Sequence, residues 1–332
     1  MTSIKDIAKE CNVSVATVSK ALNDQDDISP ATKEKVRKAA AKLGYTTNVA
    51  ARALKTNKTY NIGILFADER AGLSHEYFSM ILESFQREAE KSGYDITFIN
   101  HAIAGKKTTY LKHVEYRNVD GVVIMTADFN DPEILELASS KIPVVAVDYV
   151  LDGCAAVLSD NSQGLGTIVR YLYSMGHRDI AFIHGDLTSV TAERLTSFHS
   201  ACIQLGLKIP TDHVLSGHYH DILDCAKKTE EILNMDPRPT CIIFPDDYSY
   251  IGGLEAITSR GLSVPDDISA AAYDGINMAK IMNLCTYEQN TKELGQLAAR
   301  KLIQMINEPD LPPERAIVYG KMIEGKTVKK IG

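Results

Sequence analysis

Near the N-terminus the chain runs Val13-Ser14-Val15-Ala16-Thr17-Val18-Ser19-Lys20-Ala21-Leu22-Asn23. Wound as a helix at about 100° per residue, Thr17, Val18, Ala21 and Leu22 fall on one side and form a packing face. Val15, Ala16, Ser19, Lys20 and Asn23 fall on the other. That outer face is small enough to sit deep in a groove. It offers hydroxyls that can hold a phosphate and one long cation that can reach a base edge. Ser14 is well placed to cap the first turn. A second set of chemical groups follows short apolar runs further along. Asp68, Asp148, Asp246 and Asp274 each come just after such a run, Phe78 lies in the first turn of a following helix, and Arg194 opens another. Gln289 follows Leu284-Cys285-Thr286-Tyr287. Carboxylates and a guanidinium can each bind two adjacent hydroxyls, which is the chemistry of polyol recognition. An aromatic face must cover the C–H side of such a ligand. The chain has no Trp, so Tyr77, Phe78, Tyr219 or Tyr248 must supply it.

These residues need two kinds of scaffold. Before the first stretch, Ile4, Ile7, Ala8 and Cys11 recur at helical spacing, and Asn12 tolerates a left-handed turn. After it, Ser29-Pro30 reads as a cap with Pro at the first helical position, Val36, Ala40 and Leu43 as a buried stripe, and Gly44 as a stop. The pattern is a helix-turn-helix, with Val15–Asn23 as its DNA-reading helix. From Tyr60 the pattern changes. Apolar runs at 62–66, 96–99, 122–125, 144–147, 180–183, 241–244 and 268–272 read as strands. Amphipathic stretches at 77–91, 164–174, 194–205, 250–259 and 294–306 read as helices between them. Such alternation implies parallel sheets covered on both faces. Gly93, Gly176 and Gly261 each end a helix before the next strand, and His177 beside Gly176 reads as structural.

Charge separates the same two parts. The whole chain, 332 residues, carries −7, which alone would argue against a nucleic-acid partner. Residues 1–60, however, hold 11 Lys and Arg against 6 Asp and Glu, a net of +5, and leave −12 on the remainder. A basic head on an acidic body is the electrostatic layout of a DNA-binding module joined to another domain. The six cysteines contain no Cys-x-x-Cys pair, so zinc-finger and disulfide frameworks are not expected and a reducing compartment suits them. No secretory signal or membrane-spanning run is evident, which places the expectation in the cytoplasm, at the nucleoid.

Met1 to Leu54 resembles the DNA-binding headpiece of the lactose-repressor/galactose-repressor (LacI/GalR) family of bacterial regulators. The matching residues are Ile4-Lys5-Asp6-Ile7-Ala8, Val13-Ser14, Thr17-Val18-Ser19, Asn23, Lys33 to Val36 and Leu43-Gly44-Tyr45. The rest of the chain resembles that family's effector domain. The resemblance implies a helix-turn-helix headpiece at 1–46, a hinge helix and linker at 47–59, and an effector domain at 60–332. That domain would have the α/β periplasmic-binding-protein-like (type I) fold, with parallel sheets in two subdomains, about 60–158 with 290–318 and about 159–287 with 319–330. It further implies that Val15, Ala16 and Lys20 read bases while Thr17, Ser19 and Asn23 hold phosphates. Leu54 would wedge into a central minor-groove step with Lys55 beside it. The plain alternative for 48–54, under two turns long, is an ordinary linker. Relatives with Val-Ala at the first reading positions favour palindromes with a central CG step. Most carry Arg where this chain has Lys20.

The ligand would lie between the subdomains, at the carboxyl ends of the strands. The family places Arg194 and Asp274 as the pair that grips the effector, with Asp148, Asp246 and Gln289 around them, and Asp68 and Phe78 join them from their places after the first strand and in the next helix. Asp160 and Asn161 read instead as caps of the next helix. Two positions depart from the family pattern: Ser197 stands where Gly is usual, and Pro245-Asp246-Asp247 where Asn-Asp is usual. The resulting expectation is a repressor, not an enzyme, that binds a palindromic operator as a homodimer under control of a sugar or sugar derivative. The alternative is control by a purine or a phosphoprotein corepressor. No phosphate-binding glycine loop or nucleophile elbow suggests catalysis. His218-Tyr219-His220 could aim two imidazoles to one side of a strand, but a metal there would need further ligands, so no metal or cofactor is expected. The segment after Ile306 has no leucine heptads, which favours a dimer over a tetramer.

Overall fold

The computed structural model describes residues 2–22, 24–45, 58–67 and 72–332. Its contacts divide the chain into two units, Met1–Thr59 and Tyr60–Gly332. The first contains α1 (Ile4–Cys11), α2 (Val15–Leu22) and α3 (Pro30–Lys42). Each start has a local cause. Ser3 donates through its backbone N–H and its hydroxyl to Asp6, at 2.8 and 2.7 Å. The Thr17 N–H donates to Ser14 Oγ at 3.0 Å, and the Thr32 N–H to Ser29 Oγ at 3.3 Å, with Pro30 opening α3. Between α1 and α2 the chain turns at Asn12 with φ 51°. Ile7, Cys11, Val18, Ala21 and Val36 are buried together where the three helices meet.

The second unit has strands β1 (Asn61–Phe66), β2 (Asp95–Ile99), β3 (Ala102–Ile103), β4 (Lys106–Lys107), β5 (Gly121–Thr126), β6 (Val144–Val147) and β7 (Ala155–Ser159). They are followed by β8 (Ile180–His184), β9 (Val214–Ser216), β10 (Cys241–Ile243), β11 (Ser269–Asp274), β12 (Cys285–Glu288), β13 (Arg315–Val318) and β14 (Lys321–Ile323). Its helices are α4 (Glu76–Lys91), α5 (Tyr110–Arg117), α6 (Pro132–Ala138), α7 (Asn161–Ser174), α8 (Ser189–Gln204), α9 (Ile222–Leu233), α10 (Tyr250–Ser259), α11 (Asn277–Ile281) and α12 (Thr291–Asn307). One sheet has the order β13-β7-β6-β5-β1-β2, and a second β14-β12-β11-β10-β8-β9; β3 and β4 form a small hairpin. Every pairing in the first sheet is parallel. In the second only β14 runs antiparallel, against β12.

Helices cover both faces of both sheets. β6 and β11 are therefore buried along their whole length, and β6 and the 270–273 part of β11 read as apolar runs rather than alternating ones. The chain passes between the sheets three times: after β7, after β12 and after β13. The first and third passages are tied together, since the Asp160 N–H donates to the Val318 carbonyl at 3.0 Å. Among the described residues no helix is long and apolar enough to cross a membrane.

Two expectations need correction. Arg194 does not open a helix: α8 starts at Ser189, capped by Thr188, whose Oγ1 accepts from the Thr191 N–H at 3.3 Å. Arg194 therefore lies in the second turn. His218-Tyr219-His220 is not a strand but the turn between β9 and α9.

Candidate functional site

In the first unit, α2 buries Val18 and Ala21 against its neighbours and leaves Val15 and Ala16 exposed. Lys20 is half-buried on the same outer side and ion-paired with Asp27. Thr17, expected to hold a phosphate, has its hydroxyl 2.8 Å from Ser14 Oγ and so completes the cap. Asn23, Leu54 and Lys55 lie outside the described residues, as does Asp68 of the second set.

In the second unit a relay of polar side chains joins the two sheets. Asp148, just beyond β6 and held at φ 53°, accepts the Ser159 N–H at 2.6 Å on one oxygen and the Tyr77 hydroxyl at 2.6 Å on the other. Gln289 Oε1 lies 3.2 Å from the same Tyr77 oxygen, and its Nε2 donates to Asp274 at 2.7 Å. Asp274 ends β11 on the opposite sheet, and its carboxylate stands 3.9 Å from the Arg194 guanidinium. That gap is too long for a hydrogen bond. A ligand hydroxyl beside the pair, within reach of both, can accept from the arginine and donate to the carboxyl. Arg194 in turn donates through Nε to Asn161 Oδ1 at 2.9 Å and lies over the ring of Tyr273, 3.8 Å from its centroid. The stacking is possible because residue 164 is Gly: a Cβ there would fall 2.0 Å from the Tyr273 hydroxyl.

The electrostatics fit a dry site. Burial pushes the Tyr77 phenol well above its ordinary value, and the nearby Asp148 charge adds to it, so the phenol stays a donor. Asp274 is likewise pushed well above the ordinary carboxylate value, first by burial and then by Asp246 and Asp247, against the pull of Arg194. Burial works against the charge on Arg194, but Tyr219, Tyr273 and Asp274 outweigh it and the guanidinium stays cationic. Asp274 also holds φ 112°, a conformation side chains other than Gly rarely adopt. Strain of this kind persists where surrounding contacts fix the residue, and it clusters at binding sites.

Across the mouth of this site the two sheets carry facing rings. His75, at the start of α4, sits 3.5 Å centroid to centroid from His220 and 4.7 Å from Phe78. Tyr248 stacks on His220 at 5.4 Å and 20°. The Tyr219 hydroxyl meets Thr191 Oγ1 at 2.9 Å, and its ring lies 5.6 Å from the Arg194 guanidinium.

Two family models cover this chain. One, described as periplasmic binding proteins and sugar binding domain of LacI family, matches residues 59–322, and the other, bacterial regulatory proteins of the lacI family, matches residues 3–48. The chain belongs to the LacI family of bacterial regulators. Similar LacI-family proteins include the HTH-type transcriptional repressor PurR of Pasteurella multocida, 32% identical over 99% of both chains. The Probable HTH-type transcriptional repressor ExuR of Bacillus subtilis is 30% identical over 100% of this chain and 99% of its own. Among solved structures, the lac repressor dimer bound to operator and the anti-inducer ONPF superposes with a TM-score of 0.81 at 22% identity, covering 99% of each chain. The CelR–cellobiose complex gives 0.70 at 22%, covering 98% of this chain and all of the other. At that identity these two show the fold: a helical headpiece followed by a type I periplasmic-binding-protein-like domain.

Within this LacI-family chain the structure brings Asp148, Arg194, Asp274 and Gln289 into one relay and sets Phe78 beside it, 5.1 Å from Tyr77. Asp246 is placed differently. It is fully buried and accepts from the His220 N–H at 3.0 Å, the Ser249 N–H at 2.7 Å and the Ser249 hydroxyl at 2.8 Å. Its oxygens therefore fix the turn that presents Tyr219 and His220. Asn161 was expected only as a cap; that task falls to Asp160, which accepts from the Gln163 N–H at 3.2 Å, while Asn161 orients Arg194. His218 and His220 do not share a site: His218 pairs with Asp224 at 3.0 Å, and His220 turns to His75. Ser197, in place of the usual Gly, accepts from the Gly166 N–H at 3.0 Å and pins α8 to α7. Sequence reading named Asn161 only as a cap and His220 only as a possible metal ligand, and missed Ser159 and His75. Only the crossing topology brings them together.

Proposed function

We propose that this chain is a transcriptional repressor whose operator affinity is set by a small polyhydroxylated ligand, a sugar or sugar derivative, held between its two sheets. The observation that carries the reading is the buried relay that links the two sheets and leaves Arg194 and Asp274 3.9 Å apart, too far for a direct hydrogen bond. A ligand hydroxyl beside that pair can bridge it, and a ring can lie against Phe78 or Tyr219. Asp148, Tyr77 and Gln289 complete the polar wall. Asp246 acts through the turn it holds. A ligand that touches both sheets stabilises one angle between them, and only such differential contact can shift the protein between two states.

On the DNA side, we infer that Val15, Ala16 and Lys20 meet base edges and Ser19 meets phosphate. A single headpiece reads little sequence, so two copies related by a two-fold axis would read a palindrome. A second reading, a planar purine as effector, draws on the His75–His220–Tyr248 stack, which could cover a flat ring. One experiment separates the two: select an operator from a random duplex library, then titrate the full-length protein with panels of sugars and purines while following operator release. Response to sugars alone supports the first reading, and response to purines alone replaces it with the second.

A further inference from the structure

The loop that follows α2 is acidic, which is unexpected on a surface meant to approach phosphates. Asp24, Asp26 and Asp27 stand within four residues. Asp24 serves the fold: its carboxylate lies 3.0 Å from both Lys33 and Arg37 of α3, and Lys33 also donates to its carbonyl at 3.0 Å. Among the described residues Asp27 pairs with α2 rather than with α3. Its carboxylate takes the ammonium of Lys20, the long cation on the outer face of α2. The loop that carries Asp27 is held at both ends. The Gln25 N–H donates to the Lys20 carbonyl at 3.0 Å, folding the loop back over the end of α2, and Ile28, next to Asp27, packs against the headpiece core. Ser29 then caps α3.

We propose that Asp27 is a specificity-determining residue of the DNA interface, one that holds the Lys20 ammonium toward base edges and keeps it from being captured by the phosphate backbone. The inference rests on the reading of Lys20 as a base contact. Lysine is a point donor on a flexible stem. With nothing to restrain it, such a cation finds a phosphate on any sequence, and phosphate contacts carry no sequence information. A carboxylate beside it changes the balance in two ways. It fixes the direction in which the ammonium points, and it repels any phosphate that approaches the same place. A guanine edge presents two neutral acceptors, N7 and O6, which the ammonium can meet without leaving Asp27. The exposed pair is held weakly in water, so it orients the lysine without locking it away. Specificity would come from penalising the wrong contact as much as from rewarding the right one.

The test uses the full-length protein and a labelled palindromic duplex selected from a random library, together with its single-base-pair variants and an unrelated duplex. With Lys20 in place, Asp27→Asn is expected to tighten binding to every duplex, but more to the wrong ones. Discrimination at one base pair per half-site should fall about three- to tenfold, while the other positions keep theirs. Asp27→Glu, which retains the charge, should keep most of that discrimination. In a Lys20→Ala background, Asp27→Asn should tighten all duplexes by a common factor and alter no preference. If Asp27→Asn tightens every duplex equally while Lys20 is present, Asp27 is only a background charge and the inference falls, with the Lys20 reading untouched. If Lys20→Ala itself changes no base preference, the Lys20 reading fails and takes the inference with it.

Discussion

Asp247 illustrates how single side chains of this domain are held by what surrounds them. It is fully buried, accepts the Thr286 hydroxyl at 2.6 Å and the Ile276 N–H at 2.9 Å, and burial pushes its carboxyl from 3.8 up to about 7. An acid whose value is raised on folding stabilises most below its unfolded value, and that contribution is lost as pH climbs toward the folded one. The window therefore runs from about pH 4 to about pH 7, and the difference amounts to roughly 4 kcal/mol. Asp247→Asn, which resembles the protonated form, should flatten that decline. Denaturant midpoints measured between pH 4 and pH 8 check it, and an unchanged slope in the variant would assign the decline to other groups. Arg194 and Asp274 show what was legible at this scale. Asp274 stood out by its place after an apolar run, and Arg194 by the family resemblance; the structure sets the two 3.9 Å apart. Asn161 was not legible as a positioning residue, because its partner Arg194 lies 33 residues away on another helix. His220 was less so, since it meets His75 only where the two sheets face each other.

The elements were easiest to read where burial is complete. β1, β5, β6, β8 and β11 are buried along most or all of their length, so their sequences carry apolar runs. β9, β13 and β14 are three or four residues long with mixed exposure and leave no such trace. The start of α8 was misplaced because Thr188-Ser189 looks like loop; its cap becomes visible only through the Thr191 N–H. Caps read from sequence succeeded where Ser or Thr stood directly before a clear apolar stripe, as at Ser14 and Ser29. Ser14→Ala should accordingly weaken α2 by about 1 kcal/mol. That is roughly a fivefold change in local opening. Amide hydrogen exchange should speed up across 15–22, while β5 and β11 are unaffected. Unchanged exchange in α2 would mean that packing of Val18 and Ala21 alone holds the helix.

At the scale of the whole molecule, two units must communicate: a small basic headpiece and a larger acidic domain of two sheets. The proposed palindrome calls for two headpieces, so sedimentation at micromolar concentration should show a dimer. A stable tetramer would imply a further interface, and with it simultaneous binding of distant operators. The measurement closest to the central claim is operator release by the sugar that acts on the wild-type protein, repeated with Arg194→Ala. Removing the guanidinium takes away the partner that faces Asp274, while no headpiece residue is touched. The account predicts that the variant binds operator in the absence of sugar as tightly as the wild type and no longer responds to it. A variant that still responds at the same sugar concentration, or a wild type that no sugar moves, would contradict it.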